Sequence, residues 1–244
     1  MTAANDSWLI PLTQSGTILL YLLPAAGAGP RTYRTWREAA PAGLEVVAVQ
    51  PPGREERFGE APYTHVTPLA DQVANQILGA DDRPFGLFGH SAGGVVAHEV
   101  AKRIPRSRLR LLAVAGVPAP DLVSTEDAEA DDELLAAVAA LGGVPRELLA
   151  DPGFAAAFLP VLRADLAVYY SCRKPRTGAE VLDVPIVSFA GAQDISTPQD
   201  NCRAWSSWTT ASFDFHLVAG GHFFVITEGR QLLQVVAGHL GVLA

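Results

Sequence analysis

Six short apolar runs punctuate the chain: TILLYLL (17–23), LEVVAVQ (44–50), FGLFG (85–89), LRLLAVA (109–115), VPIVSFA (184–190) and FDFHLVA (213–219). Several are apolar at consecutive positions rather than alternate ones. A strand covered by helices on both faces buries both sets of side chains, so these runs predict strands of a parallel sheet. The segments between them carry helical spacing. Pro30 opens a first helix that ends before Pro41; TPLADQVANQIL (67–78), AGGVVAHEVAKRI (92–104) and TEGRQLLQVVAGHL (227–240) supply others. Strands alternating with helices predict a doubly wound α/β fold, with a mostly parallel sheet covered by helices on both faces.

One stretch breaks the rhythm. Between Ala115 and Val184 the chain is far longer than a single crossover needs. It holds an acidic linker (121–133), a short helix ending at Gly142-Gly143, and DPGFAAAFLPVLRADLAVYY (151–170). In the last of these Phe154, Phe158, Val161, Leu162, Asp165 and Tyr169 fall near one helical stripe. We expect a single domain over 1–244 with a helical insertion over about 120–180, acting as a lid.

The 244 residues, 49% of them hydrophobic, suffice for one large core. No uninterrupted apolar stretch approaches the length of a bilayer span, and the first residues show no basic region followed by an apolar block. We therefore expect a cytoplasmic chain, no membrane partner, and free thiols at Cys172 and Cys202. The net charge of −8 argues against nucleic acid. Two segments, 29–37 and 52–58, concentrate Arg31, Arg34, Arg37, Arg54 and Arg57, a possible rim for an acidic protein partner or simply a solvated face. Nothing marks a self-association helix, so a monomer is expected.

The chemistry begins at GHSAG (89–93). Gly-x-Ser-x-Gly between a buried strand and a helix is the pattern of a nucleophile elbow, a turn so tight that side chains beside the serine would clash. Gly89 and Gly93 relieve that crowding, and Gly94 adds room for strand–helix packing. Ser91 is the expected nucleophile, with the helix's positive end aimed at it. A base and an acid should follow in chain order. His222, after the last strand and beside Gly220-Gly221, is the preferred base over His65, His98, His216 and His239; His90 reads as structural. Asp194, in the loop after the penultimate strand, is preferred over Asp200, which reads as a helix cap. The oxyanion hole would use the N–H of Ala92 and one from LLPAAGAGP (22–30), with Ala26 preferred over Ala25. The Gly-Ala-Gly of that loop imitates the start of a dinucleotide motif, but its third glycine is replaced by Thr32. No metal or cofactor site is expected.

From about Ile18 onward the chain resembles the type II thioesterases, stand-alone α/β-hydrolase-fold enzymes accompanying polyketide synthases and nonribosomal peptide synthetases. LLPAAGAGPRTYRTW, VVAVQPPGREERFGE, the elbow block 83–104, LGGVPRELLADPGF with FLPVLRADLAVYY, and the GAQD and GGHFF loops carry the resemblance. Ala25, Ala28 and Ala92 depart from the family's usual His, Gly and larger residue, and the small Ala92 is expected to affect acyl-chain preference. The resemblance implies hydrolysis of acyl thioesters on the phosphopantetheine arm of acyl or peptidyl carrier proteins, and editing of stalled groups. Rival readings are dedicated release of one intermediate or product, a carboxylesterase, and a non-catalytic binding protein on the same fold.

Overall fold

The computed structural model describes residues 8–124 and 130–242; part of the acidic linker and both chain ends lie outside them. The described chain runs through β1 (Leu9–Pro11), β2 (Ile18–Leu23), α1 (Trp36–Ala39), β3 (Leu44–Val49), α2 (Val66–Ala80), β4 (Phe85–His90), α3 (Ala92–Ala101) and β5 (Leu109–Ala115). It continues with α4 (Asp131–Leu141), α5 (Arg146–Leu149), α6 (Pro152–Ser171), β6 (Ile186–Gly191), α7 (Gln199–Arg203), β7 (Phe213–Val218), α8 (Phe224–Thr227) and α9 (Gly229–His239). The strands form one seven-stranded sheet in the order β1-β3-β2-β4-β5-β6-β7. Only β1 is antiparallel to its neighbour. This is the α/β-hydrolase topology.

The six apolar runs are the six parallel strands. In β2, Leu19, Tyr21 and Leu23 enter one core with α2 and α3, while Leu20 and Leu22 enter the other with Trp36 and α9. Two cores on opposite faces explain why the strands read as continuous apolar sequence. The edge strand β7 is mostly half-buried. The seventh strand, β1, is an addition to the expected set. It has three residues and ends in Pro11, which an edge tolerates because no ladder partner needs its N–H. The helix expected after Pro30 is broken into a 3₁₀ turn and the four-residue α1.

Helices α4, α5 and α6 form the inserted segment. α4 stops at Gly142 in the left-handed region, with φ of 81°. α6 begins where the Asp151 carboxylate accepts the Phe154 N–H at 2.7 Å. Leu134, Val138, Leu149 and Leu162 make a small core of their own, with Phe154 and Phe158 packed against it. Arg163 on α6 meets Asp131 on α4 at 2.6 Å. Against expectation, α6 has the length and mean hydropathy of a bilayer span. It packs instead on α2, α3 and α5, sends Val168 and Cys172 into the main core, and carries Asp165 in a buried ion pair. Cys172 and Cys202 are free and buried. Burial pushes both thiols up, Cys202 to about 12.

Leu232 on α9 is fully buried in the second core. Leu232→Ala should cost about 2–5 kcal/mol, read as a lower urea-unfolding midpoint with an unchanged slope.

Candidate active site

β4 delivers Ser91 to the end of the sheet and α3 starts at the next residue. Ser91 has φ of 52° and ψ of −127°, a strained conformation for a non-glycine residue. Two short bonds hold it: its N–H donates to Ala115 O at 2.8 Å and its carbonyl accepts the Gly94 N–H at 2.8 Å. The flanking glycines are required by backbone. A Cβ on Gly93 would lie 2.3 Å from Leu23 O, and one on Gly89 would lie 2.2 Å from Gly93 O.

His222 follows β7, and its Nε2 lies 3.0 Å from Ser91 Oγ. Its Nδ1 lies 2.9 Å from Asp194 Oδ2, in the loop after β6. Burial alone would raise the Asp194 carboxyl, but hydrogen bonds from His222 and Ser196 outweigh it and hold the pKa below the usual carboxylate value. The structure thus brings Ser91, His222 and Asp194 together in one chain of contacts. Two further residues, Ser196 and His90, brace it. Ser196 Oγ donates to Asp194 Oδ1 at 2.6 Å and lies 3.0 Å from His222 Nδ1. His90 Nε2–H donates to the His222 carbonyl at 2.8 Å. Ser196 sits two residues past the acid and carried no signal beyond a polar loop. His90 was read as structural, and it is fully buried behind the base.

The other histidines lie elsewhere. His65 caps α2, His98 packs on Trp205 and Trp208, and His216 and His239 both meet Asp214. Asp200 is not a cap: Pro198 holds that position and Asp200 lies exposed in the first turn of α7. Among the described residues, two groups bring three metal-competent atoms together, Asp214–His216–His239 and His98–Glu99–Glu180. None of these residues lines the cleft described below, and in the second the carboxylates are already held by Lys102, Lys174 and Arg103.

The two expected oxyanion donors sit on segments in contact. Ala92 is the first residue of α3, where an N–H has no partner within the helix. The carbonyls of Leu23 and Pro24, leading to Ala26, pass directly over Gly93. Ala26 lines a cleft of about 740 Å³ together with Ser91 and His222. Its roof is the inserted segment, whose described residues present Val138, Leu148, Phe158 and Leu162 and no charged side chain. Ala92 borders a smaller adjoining void of about 30 Å³ with Leu69, Val73 and Val96, which shares Ala25, Ala26 and Arg54 with the cleft.

The arginine rim also needs correction. Arg54 and Arg57 are 7% and 6% exposed. Arg54 is paired with Asp165, and Arg57 with Glu60 and the Gln50 carbonyl. Arg31 faces Glu55 and Glu56. Arg34 and Arg37 remain exposed. A count of cations along the chain does not distinguish a surface patch from side chains folded inward to join loops.

The sequence profile of the family described as "Thioesterase domain" matches residues 19–240. Linear gramicidin dehydrogenase LgrE of Brevibacillus parabrevis is 31% identical, over 96% of this chain and 92% of that protein. Thioesterase TesA of Mycobacterium marinum is 32% identical, over 88% of each. The solved structure of YbtT, described as a type II thioesterase from the yersiniabactin NRPS/PKS biosynthetic pathway, matches with a TM-score of 0.86 at 27% identity, over 96% of this chain and 98% of that one. In the glycine loop here, the Gly27 N–H donates to Asp165 at 2.7 Å.

Burial lowers His90 to about 3 and His98 to about 4. Both rings stay neutral in the folded protein down to those values, but each takes a proton near about 6.5 once unfolded. The unfolded chain therefore binds more protons in this window, and stability falls with falling pH, by up to about 1.4 kcal/mol per pH unit for each ring. Urea unfolding between pH 7 and 4.5 measures it; His98→Asn should flatten the decline by about half.

Proposed function

The chain belongs to the thioesterase domain family, and on that premise we propose that it hydrolyses acyl thioesters carried on the phosphopantetheine arm of acyl or peptidyl carrier proteins, in a polyketide or nonribosomal peptide pathway. The observation that carries the reading is the continuous Ser91–His222–Asp194 contact, 3.0 and 2.9 Å, at the base of a cleft roofed by apolar side chains.

A hydroxyl is a weak nucleophile at neutral pH, and the His222 Nε2 within hydrogen-bond reach is the base it needs. Ser91 Oγ adds to the thioester carbon as its proton passes to His222. Asp194 keeps the imidazole oriented and stabilises its cation. The carbonyl oxygen becomes an oxyanion facing the N–H groups of Ala26 and Ala92. Collapse breaks the C–S bond, the carrier thiol leaves with the proton from His222, and an acyl-Ser91 ester remains. Water then adds to that ester, giving its proton to His222. The C–O bond to Ser91 breaks, Oγ regains a proton, and a free acid departs. Side chains and backbone suffice for each step; the only prosthetic group involved is the arm of the substrate.

Editing suits this cleft better than release of one product. An apolar wall discriminates one methylene only weakly, by about 1–3 kcal/mol, whereas selection of a single acyl group calls for buried polar partners. Among the residues of α4 to α6 that line the cleft, Tyr170 brings a polar side chain and none is charged, while Arg54 and Glu55 lie on the main-body side. In this reading α4 to α6 act as a lid and the protein works as a cytoplasmic monomer. Arg31, Arg34 and Arg37, all exposed, are the cations of the first arginine segment left to meet an acidic carrier.

A panel of acyl-carrier-protein thioesters, with oxygen esters beside them, tests the proposal. Wild-type protein should cleave many short acyl groups within about a hundredfold of one another, and Ser91→Ala should lose at least about 10³-fold in kcat. Cleavage of one acyl group alone would replace editing by dedicated release. Cleavage of oxygen esters alone would overturn the thioesterase reading.

A further inference from the structure

The loop after β2 is held at four successive peptide units. The Ala25 carbonyl accepts the Ala28 N–H at 3.0 Å. The Gly27 N–H donates to Asp165 Oδ2 at 2.7 Å. The Ala28 carbonyl accepts from Arg54 Nη1 at 3.2 Å. Asp165 lies in the middle of α6, on the inserted segment, whereas Arg54 lies in the loop after β3. Arg54 grips the carboxylate with two parallel bonds, Nη1 to Oδ2 at 2.7 Å and Nη2 to Oδ1 at 2.9 Å. Its remaining donors are occupied by Pro52 O at 3.3 and 3.1 Å.

Peptide planarity converts these bonds into an orientation. In a trans unit the C=O and N–H point in opposite directions. The unit that carries the Ala26 N–H also carries the Ala25 carbonyl, so the bond to Ala28 fixes which way that N–H faces. That bond persists only while Ala28 stays folded back, and Gly27 and Ala28 are held there by Asp165 and Arg54. The loop is also pressed against α6: a Cβ on Gly27, at φ of 70°, would lie 2.6 Å from the Phe158 ring.

We propose that Asp165, clamped by Arg54, is a positioning residue for the oxyanion hole, so that α6 must be seated for the Ala26 N–H to be presented to the substrate. The inference rests on the reading of Ala26 as an oxyanion donor. A carboxylate is needed because three donors converge on it, one backbone and two guanidinium. An amide in its place would offer one oxygen and set an N–H₂ against a donor. Tethering alone does not require this chemistry, because a buried ion pair is commonly matched or exceeded in stability by an apolar pair of similar volume.

That last point supplies the test. The paired variant Arg54→Met/Asp165→Leu removes both charges, leaves no charge stranded, and deprives Gly27 of its acceptor. Asp165→Asn is measured beside it as the smaller change. Three readouts are taken for each: thermal unfolding, kcat and KM on a short acyl thioester of N-acetylcysteamine, and the rate at which an alkyl fluorophosphonate labels Ser91.

The paired variant should unfold near the wild-type temperature and keep KM within about threefold. Its kcat and labelling rate should fall together by about tenfold or more, with the pH–rate inflection unmoved because the Ser91–His222–Asp194 contacts are intact. Asp165→Asn should show the same split with a smaller loss. A folded paired variant whose kcat and labelling stay within twofold of wild type overturns the inference. So does a loss confined to KM, which would make Asp165 a shaper of the cleft. If the paired variant does not fold, Asp165→Asn decides: wild-type kcat and labelling rate overturn the proposal. Wild-type labelling without thioester cleavage would sink the substrate reading alone, leaving the labelling rates to judge the positioning role. Absence of labelling in the wild type would remove both.

Discussion

A single crowded crossing of backbone governs this molecule. The chain leaving β2 passes so close over the first turn of α3 that a methyl group on Gly93 would lie 2.3 Å from Leu23 O and 2.5 Å from Pro24 O. That approach brings the loop containing Ala26 beside Ser91, and the turn between β4 and α3 is tight enough to put Ser91 at φ of 52°. Such a conformation costs about 1–3 kcal/mol and persists only where its surroundings over-determine it. Here the surroundings are β2 and β5, paired along both sides of β4, and the Ala115 carbonyl that accepts the Ser91 N–H. The strain is carried at the end of the central strand of the sheet.

Parallel pairing does the rest of the assembly. Strands running the same way end at the same edge, so loops distant in sequence open side by side. Gly191 at the end of β6 is paired with Val218 at the end of β7. Asp194 and His222 lie three and four residues beyond those ends, close enough for a 2.9 Å contact without a long loop. Ser196 then fixes the acid and His90 fixes the backbone of the base. The precision of the arrangement comes from short loops on a stiff frame, each tied a second time by a neighbour.

What the sequence made legible follows from the same physics. Strands buried on both faces must be apolar throughout, so five of the seven could be read directly; the half-buried edge strand β7 kept only a partly apolar run, FDFHLV. β1 could not, because three edge residues carry no periodic signal. Ser91 was legible because crowding demands glycines at fixed offsets, and His222 and Asp194 because chain order and strand ends restrict the choice. The partnerships were not. Arg54 and Asp165 are 111 positions apart, and nothing local distinguishes an arginine folded inward from one in water. In sequence Arg54 and Arg57 therefore read as part of a rim or a solvated face, whereas both are internal braces. Asp200 was read as a cap because its type suits one, but Pro198 sets where α7 begins.

The inserted segment follows a different rule from the sheet beneath it. Its own core is a handful of side chains around Leu134, Val138, Leu149 and Leu162, too small to hold three helices in place unaided. Its seat depends on where α6 meets the main body: Val168 and Cys172 in the shared core at one end, and Asp165 and Phe158 on the glycine loop nearer the cleft. Elements with few buried apolar contacts occupy the low end of a protein's local stability. The roof of the cleft is thus the part best able to adjust around groups of different size, while the turn at Ser91 is the part least able to. In the proposed reading, α4 and α5 yield around groups of different size while α6, tied by Asp165 to the glycine loop, keeps the Ala26 N–H in place.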